Sequence, residues 1–536
     1  MLLSDFRIDY LSCLLGFYEM KPIVKDVNIV GLANSVKSWM DVRQGARLGL
    51  LTSIDGKQLA TLVLNTEGRS AECWISEVAD NSYKTLTGLV PQSHWFERAT
   101  YDLFGLIPEH HPRLKHILLH DEYEPSFHPL SWKEIEREKR KSQNMHMRSV
   151  DKASLTQERL VAIGAKREYK FLQVRGEGIY ELPVGPIHAG VIEPGHFRFS
   201  CFGETILNLE IRLGYVHRGV EKRLTEVPWQ KARFIAEAAA TDTACANALA
   251  HAVAIESLFE GQVPPLANAL RTVALEIERV AMHVIDIGGL CGDIAFLPVA
   301  ASAGRIRGQV LRLGQMLAGS RFMRGYIVPG GVRKFSAENL IAMQKQIKNL
   351  RKEMNALFEL LEENQAARER MEKIGVISPS LAKEFGLVGI AARACGIAYD
   401  CRQHFKHGLY PELAPPIAVQ PGGDILARTR VRIAEIDSSC NIIEKILDGL
   451  PTGQHFIALP DKLPANETGL GVVEAFRGEL IHLLFTDNQG AIKRYAIKDP
   501  SFNNWTAISI AIRNNLIADF PLVNKSLSLS YSGNDL

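Results

Sequence analysis

The stretch that most constrains this chain runs from Leu182 to Glu256. It opens on Gly185-Pro-Ile-His188-Ala-Gly-Val-Ile-Glu193-Pro-Gly-His196. The runs Glu181–Val184 and Phe197–Phe202 on either side pattern as strands, so a compact loop is held between them. Its glycines and prolines fix the turn and let backbone come close to a neighbour. Leu213–Lys222 follows as a polar helix entry that carries His217-Arg218-Gly219-Val220-Glu221. Then Lys231–Leu258, rich in alanine, reads as one helix whose small side chains admit close neighbours. Glu237, Thr241, Asp242 and Thr243 stand inside it, and polar groups buried in such a helix need partners.

The chain has 536 residues, enough for two or more domains around a sizeable core. A net charge of +2 argues against nucleic acid as a general partner. No run approaches the roughly 18–20 apolar residues of a membrane-spanning helix. The N-terminus shows no basic stretch followed by an apolar one, so no signal peptide is expected. Eight cysteines are scattered, and no two form C-x-x-C. That pattern predicts reduced, packed thiols in a cytosolic protein and no zinc or Fe–S site held by this chain alone.

The order of elements predicts an α+β protein. Residues 1–130 read as a small α/β domain, with a helix over Val27–Asp41 and a hairpin of Arg47–Ser53 with Gln58–Thr66 around Asp55-Gly56. Residues 131–168 are charged and read as a solvated linker. Residues 169–536 begin with the strand-rich entry and become mainly helical. In Ser336–Met371, Leu340, Met343, Ile347, Leu350, Met354, Leu357 and Leu361 recur at spacings of three and four, a helix with an apolar seam that packs within the chain. His110, His111 and His116 read as interface histidines rather than metal ligands. Arg279, Asp293, Arg393, Asp400, Arg402, Asp424 and Arg477 read as structural ion pairs.

Two blocks carry a family resemblance. The Gly185–His196 loop, the His217–Lys222 motif and the helix after it resemble the large subunit of the membrane-bound, energy-converting NiFe hydrogenases. That group includes the formate hydrogenlyase and hydrogenase-4 large subunits and is related to the 49-kDa, D-type subunit of respiratory complex I. Glu97-Arg-Ala-Thr-Tyr-Asp-Leu-Phe-Gly105, followed by His111-Pro-Arg-Leu-Lys-His-Ile-Leu118, resembles the 30-kDa, C-type subunit. The resemblance implies a fusion of two modules that are separate chains in many complex I enzymes. It also implies a place on the cytoplasmic face of the cell membrane. Implied partners are an Fe–S small subunit with a 4Fe-4S cluster, ion-pumping membrane subunits and ferredoxin-like or other Fe–S subunits.

Aligned on that pattern, the two thiolate pairs that hold a NiFe centre fall at Ala240 and Thr243 and at Ser530 and Gly533. No cysteine stands at any of the four, so no NiFe centre is expected. Asn247 replaces the histidine that usually follows. Cys245, two residues past the second position, would be turned by about 200° on a helix. In complex I-type subunits a loop His and a Tyr bind the quinone head, and here the Tyr position falls near Thr241. His188, Glu193, His196, Thr241 and Asp242 are therefore candidates to line an acceptor cavity, with hydrogen bonding among themselves as the alternative. The resemblance places Arg218 beside the partner's 4Fe-4S cluster and Glu221 on a proton path; a buried Arg218–Glu221 pair is the alternative. Two functions stay open at this point. One is electron transfer to a quinone or other small acceptor without a NiFe centre. The other is a non-catalytic scaffold joining an Fe–S arm to a membrane arm.

Overall fold

A computed structural model describes residues 21–131, 134, 169–188, 192–259, 262–405 and 407–536. The charged 131–168 linker reading thus falls almost wholly outside the described residues. Near the N-terminus, strands Ala46–Ser53, Gln58–Asn65 and Ser70–Glu77 form an antiparallel sheet, and Ile23–Asp26 adds to Ser70–Glu77 in parallel. The expected hairpin is present. Asp55 shapes its turn by accepting the Lys57 and Gln58 N–H groups. The expected Val27–Asp41 helix is shorter, Leu32–Asp41, because Asn28 caps a separate single turn at Ile29–Gly31. Its face Leu32, Ala33, Val36 and Trp39 is buried at helical spacing.

Asp102 explains the aromatic block that follows. One carboxylate oxygen accepts the N–H groups of Ile117, Leu118 and Leu119, and the other meets His116 Nδ1 at 2.5 Å. Burial alone would raise this carboxyl, but His116 and the N–H groups hold it below its ordinary range. The His111–Leu118 segment is thus wrapped around one buried anion. Among the described residues, no cluster of three or more His, Cys, Asp and Glu is placed to hold a metal ion.

The second half is helical around Pro265–Asp293, a 29-residue helix buried on nearly every face. Leu297–Ala318 and Ile425–Asp448 pack on it, and Ala337–Glu363 packs on both of those. The predicted seam of that last helix is buried as expected. It stops at Glu363 rather than Met371, where Asn364 turns the chain and caps the next short helix. Ile179–Val184, His196–Phe202 and a third strand, Thr205–Arg212, form one antiparallel sheet. A second sheet, Thr468–Ala475, Gly478–Thr486 and Ile492–Lys498, lies in the interior. It shares a core with the N-terminal sheet through Leu470, Val472, Ile481 and Leu483 against Leu48, Leu62 and Leu64.

The alanine-rich segment is not one helix. Helix Trp229–Ala236 ends, residues 237–243 turn, and helix Ala244–Glu256 begins from Thr243. The Arg218 guanidinium donates to the carbonyls of Ala238 and Ala239 at 2.6 and 2.7 Å, so these oxygens serve a side chain instead of continuing a helix. With 240–243 outside any helix, a rotation argument for Cys245 does not apply. The alanines have a separate cause. A Cβ added at Gly469 or Gly471 would sit 2.4 Å from the Ala254 carbonyl oxygen or 2.0 Å from that of Ala250. Backbone lies against backbone there, and larger side chains on the facing side of the helix would pry the pair apart.

Candidate functional site

Three pieces of chain meet at the positions where the sequence pattern leads one to expect the thiolates. They are the 237–243 turn, the Tyr531–Asn534 helix with its cap Ser530, and the described ends of the Gly185–His196 loop, 185–188 and 192–196; residues 189–191 lie outside the described residues. Tyr531 binds loop to helix, since a Cβ at Gly195 would fall 2.5 Å from its ring. Glu193 accepts the Ser532 N–H at 3.1 Å. Arg218, besides holding the turn, donates to the Ser532 carbonyl at 3.2 Å. Asp535 completes the clamp by accepting the Gly214 and Val216 N–H groups at 2.8 and 3.2 Å. Burial pushes its carboxyl up to about 6, against the pull of the Asn534 amide and these N–H groups.

The four thiolate positions do not fit a NiFe centre. Ala240 carries no donor atom. The Thr243 hydroxyl donates to the Ala240 carbonyl at 3.3 Å. Ser530 Oγ accepts the Gly533 N–H at 2.9 Å and caps its own helix. A Cβ at Gly533 would stand 2.5 Å from Asp499 Oδ2, so a cysteine there would collide with a carboxylate. The nearest thiol, Cys245, faces the Phe322 carbonyl at 3.9 Å instead.

A charged pair lies beside these expected positions. Arg477 donates to both oxygens of Asp242, at 2.8 and 2.5 Å, and its Nε donates to the Ser528 carbonyl. Burial would raise the Asp242 carboxyl, but Arg477 outweighs burial and holds it below the usual range. Asp499 stands close enough to feel Arg477, yet burial still leaves its carboxyl raised. Thr241 is exposed beside this pair.

The loop histidines make local bonds. His188 Nε2 lies 2.7 Å from the Gly195 carbonyl and His196 Nδ1 3.2 Å from that of Gly185, so each ring ties one end of the loop to the other. His196 is buried, and among the described residues its Nε2 has no hydrogen-bond partner. Glu221 is not paired with Arg218. It accepts Arg494 Nη2 and the Ile497 N–H, both at 2.8 Å. Arg494 also reaches Thr52 and the Ser53 carbonyl in the N-terminal sheet. Glu221 thus borders a small cavity between the two halves, beside Phe96, Thr100 and Phe104.

Behind the turn runs a buried polar chain that sequence reading missed. Asn247 donates through Nδ2 to the Thr243 carbonyl at 2.9 Å, so its Oδ1 must accept from His482 Nε2, 3.1 Å away. His482 Nδ1 is then an acceptor and takes the Tyr495 hydroxyl proton at 2.8 Å. His251 Nδ1, also 2.8 Å from that hydroxyl, is the donor into it. Burial holds both rings neutral, with His251 lowered to about 4. The only signal in the sequence was Asn247, at the histidine position of the resemblance.

Comparison with known proteins accords with this architecture. Residues 33–139 match the family described as the 30-kDa subunit of respiratory-chain NADH dehydrogenase. Residues 293–468 and 461–535 match its 49-kDa subunit. Formate hydrogenlyase subunit 5 of Escherichia coli (strain K12) is 28% identical over 93% of this chain and 86% of its own length. The D-type subunit of the NADH-quinone oxidoreductase of Syntrophobacter fumaroxidans is 31% identical over 65% of this chain and 95% of its own. A chain of the membrane-bound sulfane sulfur reductase, an archaeal respiratory membrane complex, superposes with a TM-score of 0.63 at 28% identity. That match covers 67% of this chain and 99% of the other. The chain therefore belongs to the family of fused complex I 30-kDa and 49-kDa subunits, on the side that resembles the group 4 hydrogenase large subunits.

Proposed function

We propose that this chain is the large subunit of a complex I-like, hydrogenase-related oxidoreductase assembly that works without a NiFe centre of its own. Electrons come from the 4Fe-4S cluster of a neighbouring Fe–S small subunit and pass to a quinone or another small acceptor. The transfer is coupled to ion movement by membrane subunits. The two modules divide at residues 131–168, and the chain sits peripherally on the cytoplasmic face; among the described residues, no helix is long and apolar enough to cross a membrane. The observation that carries the reading is the Asp242–Arg477 pair at the thiolate positions, next to an exposed Thr241. A guanidinium there would stabilise a reduced, anionic acceptor oxygen, as preorganised cations do in many active sites. Arg218, which touches both the turn and the terminal helix, would raise the potential of an adjacent cluster by its charge.

A scaffold reading has one observation in its favour. His188, His196 and Glu193 all spend hydrogen bonds on the loop or on Ser532, and Asp242 is already matched by Arg477. The experiment that decides is metal analysis of the chain purified with its native partners, followed by quinone reduction. Iron without nickel, and quinone reduction that Arg477→Met abolishes, is the expected result. Stoichiometric nickel would overturn the reading. Iron with no reduction of any quinone would favour the scaffold.

A further inference from the structure

The Arg477 guanidinium is held from behind as well as by Asp242. Arg477 sits in the turn between Thr468–Ala475 and Gly478–Thr486, and its backbone is fixed there. A Cβ added at Gly389 would meet the Arg477 carbonyl oxygen at 1.8 Å. A guanidinium has five N–H donors. Two go to Asp242 and the Nε–H goes to the Ser528 carbonyl, so among the described residues two are left for a ligand. Asp242 is a loose anchor by itself, because its side chain lies on a turn and is 39% exposed. The Ser528 carbonyl is the other fixed point, and an uncommon backbone aims it. Ser528 closes helix Phe520–Leu527 at φ 53° and ψ 43°, the left-handed conformation that favours glycine. Its hydroxyl donates to Asp286 Oδ1 at 2.9 Å, and the other oxygen of Asp286 accepts from Arg432 Nε at 3.2 Å. Asp286 stands on the central helix, Pro265–Asp293. An unbroken series of contacts thus runs from that helix through Asp286 and Ser528 to Arg477 and Asp242.

We propose that Asp286 is a positioning residue for the acceptor site, acting through Ser528 to set the plane in which Arg477 presents its two remaining N–H groups. The inference rests on the acceptor reading above. A donor stabilises developing negative charge best when it is aimed before the charge arrives. Asp242 holds the edge of the guanidinium between its two Nη atoms. With that bond alone, cation and exposed carboxylate would swing together. The bond at Nε removes this freedom, but only while the Ser528 carbonyl keeps its direction. Asp286 supplies that direction by anchoring the hydroxyl of the same residue. A misplacement of about 1 Å costs on the order of 100-fold in rate. A bland ion pair between Asp286 and Arg432 predicts something else: it needs the charge of Asp286 and has no use for the Ser528 hydroxyl.

The test uses the intact complex and a water-soluble short-chain quinone. Ser528→Gly keeps the left-handed turn without cost and removes only the hydroxyl. Asp286→Ala removes the group that anchors it, whereas Asp286→Asn still anchors the hydroxyl from either end of its amide. Ser528→Gly and Asp286→Ala should each lower kcat about 10-fold or more with little change in KM. The two together should lower it no further than either alone. Asp286→Asn should restore most of kcat. If Asp286→Ala does not assemble because Arg432 is left unpaired in the interior, Ser528→Gly and Asp286→Asn carry the test. Additive losses, an unchanged kcat in Ser528→Gly, or an Asp286→Asn as impaired as Ser528→Gly would overturn the inference. Thermal midpoints read the same contacts without turnover. Ser528→Gly should lower the midpoint less in Arg477→Met than in the wild type, because the carbonyl there has nothing left to hold. Equal shifts overturn the inference. Failure of the wild type to reduce the quinone, with unequal shifts, would instead sink the acceptor reading.

Discussion

Two buried charge clusters sit a few turns apart in this molecule and are held differently. In the first, every carboxylate has a cation. Glu435 meets Arg393 at 2.7 Å and His283 at 3.0 Å, Glu474 meets Arg393 at 2.7 Å, and Asp400 meets Arg402 at 2.7 Å. Burial pushes the Glu435 carboxyl up, but Arg393 and His283 prevail and hold it well below its ordinary range. In the second, around the 237–243 turn and Tyr531–Asn534, Glu278 accepts two backbone N–H groups, Asp535 accepts two more and the Asn534 amide, and both are raised. Desolvation is common to both. Glu435 and Asp400 are held low by their guanidinium partners, while Glu474, which shares Arg393 with them, is still raised by burial. Cations hold Glu435 and Asp400 in the first region as anions, whereas burial outweighs the neighbours of Glu278 and Asp535 in the second.

The largest effect should follow from breaking the paired region. Arg393→Met leaves Glu435, Glu474 and Asp400 short of their shared cation in the interior. Removing one partner of a buried pair costs about 3–5 kcal/mol. A large fall in the thermal midpoint of the complex, with the variant soluble only at low temperature, is the expected outcome. A midpoint within a degree of wild type would mean that the network is neutralised in some other way.

The unpaired region should respond in the opposite direction. Asp535→Asn removes a charge that the fold does not favour. Asn534 has a buried amide oxygen without a partner, so flipping that amide would accept the new Nδ2. The sign follows from linkage. A carboxyl raised in the folded state contributes stability that is present below its unfolded value and lost as pH rises through its folded value. For Asp535 that window runs from 3.8 to about 6. Wild type should lose up to about 3 kcal/mol relative to Asp535→Asn across it. Thermal unfolding of both proteins at pH 5 and pH 8 captures the upper part of that window, about 1.4 kcal/mol. A variant that is less stable by the same amount at both values would show that the carboxylate is needed for its two N–H bonds and is not strained by burial.

What the sequence disclosed follows the same division. The 3.6-residue seam of Ala337–Glu363, the Asp55-Gly56 hairpin and the strands around the loop were legible because periodicity and turn chemistry are local. The break at 237–243 was not. Alanine favours helix, and the guanidinium that takes the Ala238 and Ala239 carbonyls lies about twenty residues upstream. Glu278 and Asp535 were invisible for a related reason. Their character comes first from burial among residues distant in the chain, which a sequence does not show. Arg477 was assigned to a structural ion pair, but its partner, Asp242, lies 235 residues away.

The thiolate positions themselves give a smaller and sharper test. Ser530→Cys should be tolerated. It exchanges a helix cap for a weaker one, at a cost of about 1 kcal/mol. Gly533→Cys should cost more, about 1–3 kcal/mol, because its Cβ meets Asp499 and an overfilled interior must shift. Neither variant, nor the pair together, should bring nickel into the complex. If Gly533→Cys is as stable as Ser530→Cys, Asp499 moves freely, and the cluster around Arg477 is softer than its hydrogen bonds imply.

The smallest effect should come from an ion pair that belongs to neither region. Arg305 and Glu353 meet at 2.8 Å on the surface, with side chains 56% and 41% exposed. Water screens both, and holding two long side chains together offsets most of the attraction, so such pairs contribute about 0–1 kcal/mol. Arg305→Ala should therefore leave the thermal midpoint almost unchanged, and any shift should vanish in high salt. The comparison matters because distance fails to separate the cases. Arg305–Glu353 and Arg393–Glu435 differ by 0.1 Å in their closest approach. If their removal costs differ as expected, burial sets the strength of these charges. If they do not, the contrast between carboxyls held by cations and carboxyls raised by burial loses its physical basis.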